Sequence, residues 1–219
     1  VDYDCFARKR DTLGAYLEAL ESVDALAFDA WAEPRQLAFL INAYNAWTVE
    51  LILTAWPDLE SIRDLGGLFR SPWEKSFIPL LGETRTLDEI EHGMIREPGR
   101  FDEPRIHFAV NCASIGCPAL RREAYRAEAL EEQLEDQARS FLADTSRNRF
   151  RDGRLQISPL FKWYREDFER RWRGTSSLEG FLARYAEALD LDGTQVEALR
   201  NGDIPIRFLA YDWSLNDLP

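Results

Sequence analysis

The chain has 219 residues, a net charge of −12 and 45% hydrophobic residues, including 7 Trp, 7 Tyr and 13 Phe. That is enough apolar side chain for a sizeable core, and it excludes disorder over any long stretch. A field of this sign disfavours nucleic acid and anionic membrane surfaces as partners, and no run approaches the roughly 18 apolar residues of a membrane span. Three cysteines and two histidines are too few and too scattered for a disulfide-stapled scaffold or a structural zinc site, so no metal is expected.

In chain order, Asp11 to Leu26 has the spacing of a helix, with Leu13, Leu17 and Leu20 on one face. Pro34 suits the first turn of the next helix, Arg35 to about Ala55, which is apolar all round and therefore predicted to be buried centrally. Asn42 and Asn45 interrupt it, one turn apart. They either pin a neighbouring loop's backbone or line a site. Ser76 to Thr86 reads as a hairpin turning at Leu81–Glu83. Thr86 and Glu89 form a capping box for a short helix through Arg96 that carries Glu91 and His92.

The period-2 alternation of Ile106, Phe108 and Val110 with Arg105, His107, Ala109 and Asn111 predicts a strand that runs into the turn Ala113–Gly116. Pro118 to Ala143 is predicted as one long amphipathic helix. Arg151–Arg154 is a hairpin turn between strands Asn148–Arg151 and Arg154–Ile157. Ser158 and Pro159 open a helix through Phe168. Ser176 and Glu179 box a helix to Leu189, and a last strand spans Ile204 to Tyr211. Without repeats or linkers, the expectation is a single α+β domain, with a buried central helix and amphipathic helices packed on a small, mainly antiparallel sheet.

Four motifs stand in order along the chain: Ala38-Phe-Leu-Ile-Asn-Ala-Tyr-Asn45, Ile90-Glu-His-Gly-Met-Ile-Arg96, Arg105-Ile-His-Phe-Ala-Val-Asn-Cys-Ala-Ser-Ile-Gly-Cys-Pro118, and Tyr211-Asp-Trp-Ser-Leu-Asn216. With Ile157–Tyr164 they make the chain resemble the domain of unknown function 547 family over almost its whole length. The resemblance implies an α+β domain with suggested kinship to papain-like and transglutaminase-like thiol enzymes. It names no substrate.

A thiol enzyme needs a cysteine whose thiolate is populated near neutral pH, a His to take the proton, a group that orients the His, and donors for an oxyanion. Cys112, at the end of the expected strand, is the preferred nucleophile. Cys117 precedes Pro118, where a helix N-terminus would lower a thiolate pKa. Cys5 has no polar company. His92 is the preferred base. His107 is the alternative, because on an unbroken strand it faces away from Cys112. Asn42, Asn45, Asn111 and Ser114 are candidate orienters or oxyanion donors, and Arg105 or Arg96 a candidate clamp for a substrate carboxylate. Each of these also has a purely structural role open to it. Asp212–Asn216 is expected to be a C-terminal lock, with Trp213 in the core.

Three functional expectations follow. The first is a cysteine-dependent hydrolase or acyltransferase, with Cys112 as nucleophile. The second is a module that captures small thiols such as glutathione, or peptides, through a redox-sensitive Cys112/Cys117 pair without turnover. The third is a non-catalytic scaffold. No phosphate-cradling, dinucleotide-binding or zinc-protease motif is present, so no cofactor is expected. Because the chain begins at Val1, the expectation is that it is trimmed or processed. A removed signal peptide would place it in a bacterial envelope or periplasm, and otherwise it is cytoplasmic. Oligomeric state is left open.

Overall fold

The computed structural model describes residues 1–67 and 70–218. The centre of the fold is a 21-residue helix, α4 (Glu33–Leu53). Pro34 sits in its first turn, where a missing N–H costs nothing. As its composition predicts, α4 is buried on nearly every side. Leu40, Ile41 and Ile52 are fully buried, each worth about 1.5–3 kcal/mol relative to exposure. Three shorter helices precede it: α1 (Tyr3–Arg8), α2 (Arg10–Glu21) and α3 (Ala25–Asp29). The helix expected over Asp11–Leu26 is therefore two, divided where Asp24 caps α3 by accepting from the Ala27 N–H.

The fold is α+β, as expected, with two small sheets. Strands β1 (Ile78–Leu80) and β2 (Glu83–Arg85) form the predicted hairpin. Helix α5 (Leu130–Ala143) leads to β3 (Arg149–Arg151) and β4 (Arg154–Ile157), the second predicted hairpin. β4 then pairs in parallel with β5 (Ile206–Phe208), shorter than the strand expected there. Between them lie α6 (Leu160–Trp163), α7 (Arg165–Glu169), α8 (Leu178–Arg184) and α9 (Gly193–Arg200). The Ser158 hydroxyl accepts from the Leu160 N–H, so the cap before α6 is as predicted, but the helix breaks at Tyr164. Ser177, not Ser176, caps α8.

Two expectations around the cysteines need correction. Residues Pro104–Phe108 form a 3-10 helix, not a strand. Pro104 takes its first turn and the Glu103 side chain caps it. The alternation misled because the segment is buried throughout: Ile106, Ala109 and Val110 enter the apolar cluster around α4, while Phe108 enters a second one with Phe161, Phe168 and Phe181. The intervening polar residues are also buried, each held by a specific partner.

The second correction concerns the segment after Pro118, which becomes helical only at Leu130. Its backbone groups are taken up by side-chain amides instead. Asn42 bonds both the N–H and the carbonyl of Tyr125, at 2.8 Å each. Gln133 holds Ala124 and Arg126, and Gln137 holds Phe108 and Ala119. No helix starts at Pro118, so no helix N-terminus faces Cys117. No helix among the described residues is long and apolar enough to cross a membrane.

Candidate functional site

The turn predicted at Ala113–Gly116 carries Cys112, Ser114 and Cys117, and it is built from two directions. From α4, the buried Asn45 donates to the Ala109 carbonyl and accepts from the Asn111 N–H, at 2.9 and 2.8 Å. Asn111 then closes the loop on itself. Its amide donates to the Pro118 carbonyl at 2.7 Å, while its oxygen accepts from the Ala113 N–H at 2.9 Å and from the Asn216 amide at 3.2 Å. These bonds hold Ala113 in the left-handed region, φ +60°, which costs a non-glycine residue about 1–2 kcal/mol. Asn42, Asn45 and Asn111 thus spend their amides on loop backbone.

The second direction is the chain's C-terminal segment. Ile115 and Gly116 donate to the carbonyls of Ser214 and Asp212, and Asn216 donates to Ala113. The segment is the expected lock, with Asp212 accepting from the Ser214 N–H. Trp213 is only half-buried. It stacks among Trp73, Trp163 and Tyr211 at ring separations of 6.0, 5.7 and 4.5 Å, rather than in the core.

Cys112 and Cys117 are joined by a disulfide, with Cα atoms 6.2 Å apart; Cys5 is free. Cys112 is partly exposed, whereas Cys117 is 3% exposed. The Cys112 N–H donates to the Cys117 sulfur at 3.1 Å. The Ser114 hydroxyl lies 3.3 Å from each sulfur. The Tyr211 hydroxyl lies 3.2 Å from Cys112 Sγ, 3.1 Å from Cys117 Sγ and 2.9 Å from Ser114 Oγ. On the Cys117 side of the pair is a cleft of about 570 Å³ lined by Ser114, Cys117, Arg121, Arg122 and Arg147 together with Asp2 and Asp217. Arg121 is paired with Glu123 and Asp136, and Arg147 with Asp144. Arg122 is exposed and makes no ion pair among the described residues.

Neither histidine bonds a sulfur. His107 is buried and its Nε2 meets Asp167 Oδ2 at 2.7 Å. Its ring stacks on Tyr164 at 4.0 Å, and its Nδ1 has no partner among the described residues. Burial lowers its pKa, although the bond to Asp167 opposes the shift. Burial works against the charge of Asp167, but the bonds from His107 and Arg96 outweigh it and hold that carboxylate at about 2. At neutral pH the cations beside Asp167 are Arg96 and Arg170, since His107 is then uncharged.

His92 lies on a π-helical turn, Glu89–Ile95, opened by the predicted capping box between Thr86 and Glu89. Its side chain is 43% exposed, and its Nδ1 accepts from Arg96 at 2.6 Å. The neighbouring Glu91 is buried. Its carboxylate acts on the hydroxyls of Tyr44 and Tyr164, which burial already pushes well above their ordinary range. Arg105 is fully buried, clamped by Glu103, Glu131 and Glu135 and lying 5.1 Å from the centre of the Trp172 ring. Three carboxylates thus occupy its guanidinium.

The structure brings Cys112, Ser114 and Cys117 together, near neighbours in the chain. Sequence reasoning missed Tyr211, which arrives from 99 residues away, and Asp167, which looks like an ordinary surface acid of a short helix. Tyr211 carried one available signal, its place in a motif of the resemblance. Among the described residues, no group of three His, Cys, Asp or Glu side chains is arranged to hold a metal ion.

No curated protein and no solved structure matches the chain. The family model described as "Protein of unknown function, DUF547" matches residues 28–142, a span that holds α4, the π-helical turn, the whole cysteine loop and all but the last residue of α5. The chain belongs to the domain of unknown function 547 family.

Proposed function

We propose that the protein is a thiol–disulfide exchange module whose Cys112/Cys117 pair captures low-molecular-weight thiols, or cysteine-bearing peptides, as mixed disulfides. The observation that carries this reading is the asymmetry of the pair: a partly exposed Cys112 bonded to a buried Cys117. An incoming thiolate attacks Cys112 Sγ. As the new S–S bond forms, the Cys112–Cys117 bond breaks, and its electron pair leaves on Cys117 Sγ, which then takes a proton from solvent. A second partner thiol reverses the capture by attacking the mixed disulfide. That step releases Cys112 as a thiol and the two partner thiols as their own disulfide.

The neighbouring cleft suits a partner that carries both carboxylates and an amine, because Arg121, Arg122 and Arg147 line it together with Asp2 and Asp217. Glutathione has that chemistry. The hydrolase or acyltransferase reading needs a free Cys112 thiol with a base in reach. It is less well supported, since His107 Nε2 is on Asp167 and His92 Nδ1 is on Arg96.

The test uses Cys117→Ser, which leaves Cys112 without its resolving thiol. With oxidised glutathione, this variant should accumulate one stable glutathione adduct at Cys112, located by peptide mass spectrometry without reduction. The wild-type protein should shed that adduct by closing its own disulfide. An adduct on Cys5 alone would count against the proposal. Turnover of a thioester by reduced wild type, abolished in Cys112→Ser, would favour the hydrolase instead.

A further inference from the structure

We infer that the Tyr211 hydroxyl is the catalytic hydrogen-bond donor of the cysteine pair: it holds the thiolate released when the disulfide opens, and so sets how readily the pair is reduced. This rests on the exchange reading above. The oxygen lies within 3.2 Å of both sulfurs, so it serves whichever sulfur leaves. The position is built. Gly116 lies under the ring, and a Cβ there would fall 2.7 Å from a ring carbon, so only glycine lets the ring this close. Trp163 and Trp213 pack the ring from other sides at 4.9 and 4.5 Å.

Among the described residues, no cation is in hydrogen-bond contact with either sulfur. The stabilisation of a thiolate opened here must come from neutral donors, which are the Tyr211 hydroxyl at either sulfur and, at Cys117, the Cys112 N–H. The two hydroxyls work in series: Ser114 O–H donates to the phenol oxygen at 2.9 Å, and the phenol O–H turns to the sulfur. Burial pushes Tyr211 up to about 12, with the Ser114 bond and the charge of Arg147 pulling the other way and Glu91 adding to the rise. A phenol with that pKa keeps its proton beside a thiolate whose ordinary value is about 8.5. Tyr211 therefore donates a hydrogen bond and does not transfer the proton. Stabilising the thiolate lowers the cysteine's pKa and makes the disulfide more oxidising.

Tyr211→Phe keeps the packed ring and removes only the hydroxyl. Two quantities are compared with wild type: the pH dependence of iodoacetamide alkylation at each cysteine of the reduced protein, and the equilibrium with a glutathione redox buffer. A hydrogen bond to a charged group is worth enough that removing it should raise the apparent pKa of the more acidic cysteine by about one unit and, in a redox buffer held above that pKa, make the pair about tenfold harder to reduce. Arg147 and Glu91 are the other charged groups felt at this hydroxyl, and both stay in place in the variant. Circular dichroism and thermal unfolding should match wild type.

Unchanged pKa and redox equilibrium would overturn the inference while leaving the exchange reading intact. Faster alkylation of both cysteines by the same factor at every pH would show that the residue only closes the loop, and would overturn it too. A wild-type pair that does not exchange with glutathione at all would remove the exchange reading, and the role of Tyr211 with it.

Discussion

Asp167 accepts from His107 and Arg96 through one oxygen and pairs with Arg170 through the other. Its neighbour His107 is buried as a neutral ring. The two groups give the fold two separate sensitivities to acid. The folded His107 resists protonation because burial lowers its pKa below the ordinary 6.5. The unfolded chain takes up that proton near 6.5, so the stabilisation is complete above this pH and is lost as pH falls below it. Asp167 is held at about 2 against an ordinary 3.8, so its contribution is present above 3.8 and is lost as pH falls from there toward 2. His107→Gln keeps a donor for Asp167 without a titrating ring. Urea midpoints measured against pH should fall in both windows for wild type and only in the lower one for His107→Gln. A variant that keeps the upper decline would mean that another group is responsible. None of this was legible in the sequence. Arg105, His107 and Asn111 resembled the polar face of a strand because a buried polar residue with a partner and an exposed one look alike in a one-dimensional pattern.

The loop between Asn111 and Pro118 is fixed by elements far from it in sequence, and that explains which parts were legible. Hairpins and caps encoded within a few residues came out as predicted: the β1–β2 turn, the β3–β4 turn, the Thr86/Glu89 box and the Ser158 cap. So did the burial of α4, because its composition leaves no polar face. The loop's own shape was not legible, since it depends on Asn45 of α4 and on the backbone of residues 212–216. The same dependence makes a prediction about Gly116. Gly116→Ala places a methyl 2.7 to 2.8 Å from three carbons of the Tyr211 ring, a distance that forces the ring or the loop to move. Overpacking of this kind costs about 1–3 kcal/mol, and here it also displaces the hydroxyl from the sulfurs. Thermal unfolding should drop and the reduced cysteines should lose their distinct reactivity together. A Gly116→Ala protein with wild-type stability and redox equilibrium would show that the close approach does not matter.

Across the whole molecule, two apolar clusters meet at the 3-10 turn Pro104–Phe108, and the cysteine loop emerges directly from that junction. The pair therefore sits on a buried base, with the C-terminal segment hydrogen-bonded along its loop. Of the three functional expectations, thiol capture draws most support from this arrangement, because the disulfide, the two hydroxyls and the arginine-lined cleft converge at one place while both histidines are engaged elsewhere. The most direct measurement is alkylation of each cysteine in the native protein with iodoacetamide, before and after mild reduction, read by peptide mass spectrometry. The account predicts that only Cys5 reacts before reduction, and that after reduction Cys112 reacts faster than the buried Cys117. Alkylation of Cys112 in the unreduced protein, at a rate that His92→Ala or His107→Gln abolishes, would contradict it and return Cys112 to the role of a His-activated nucleophile.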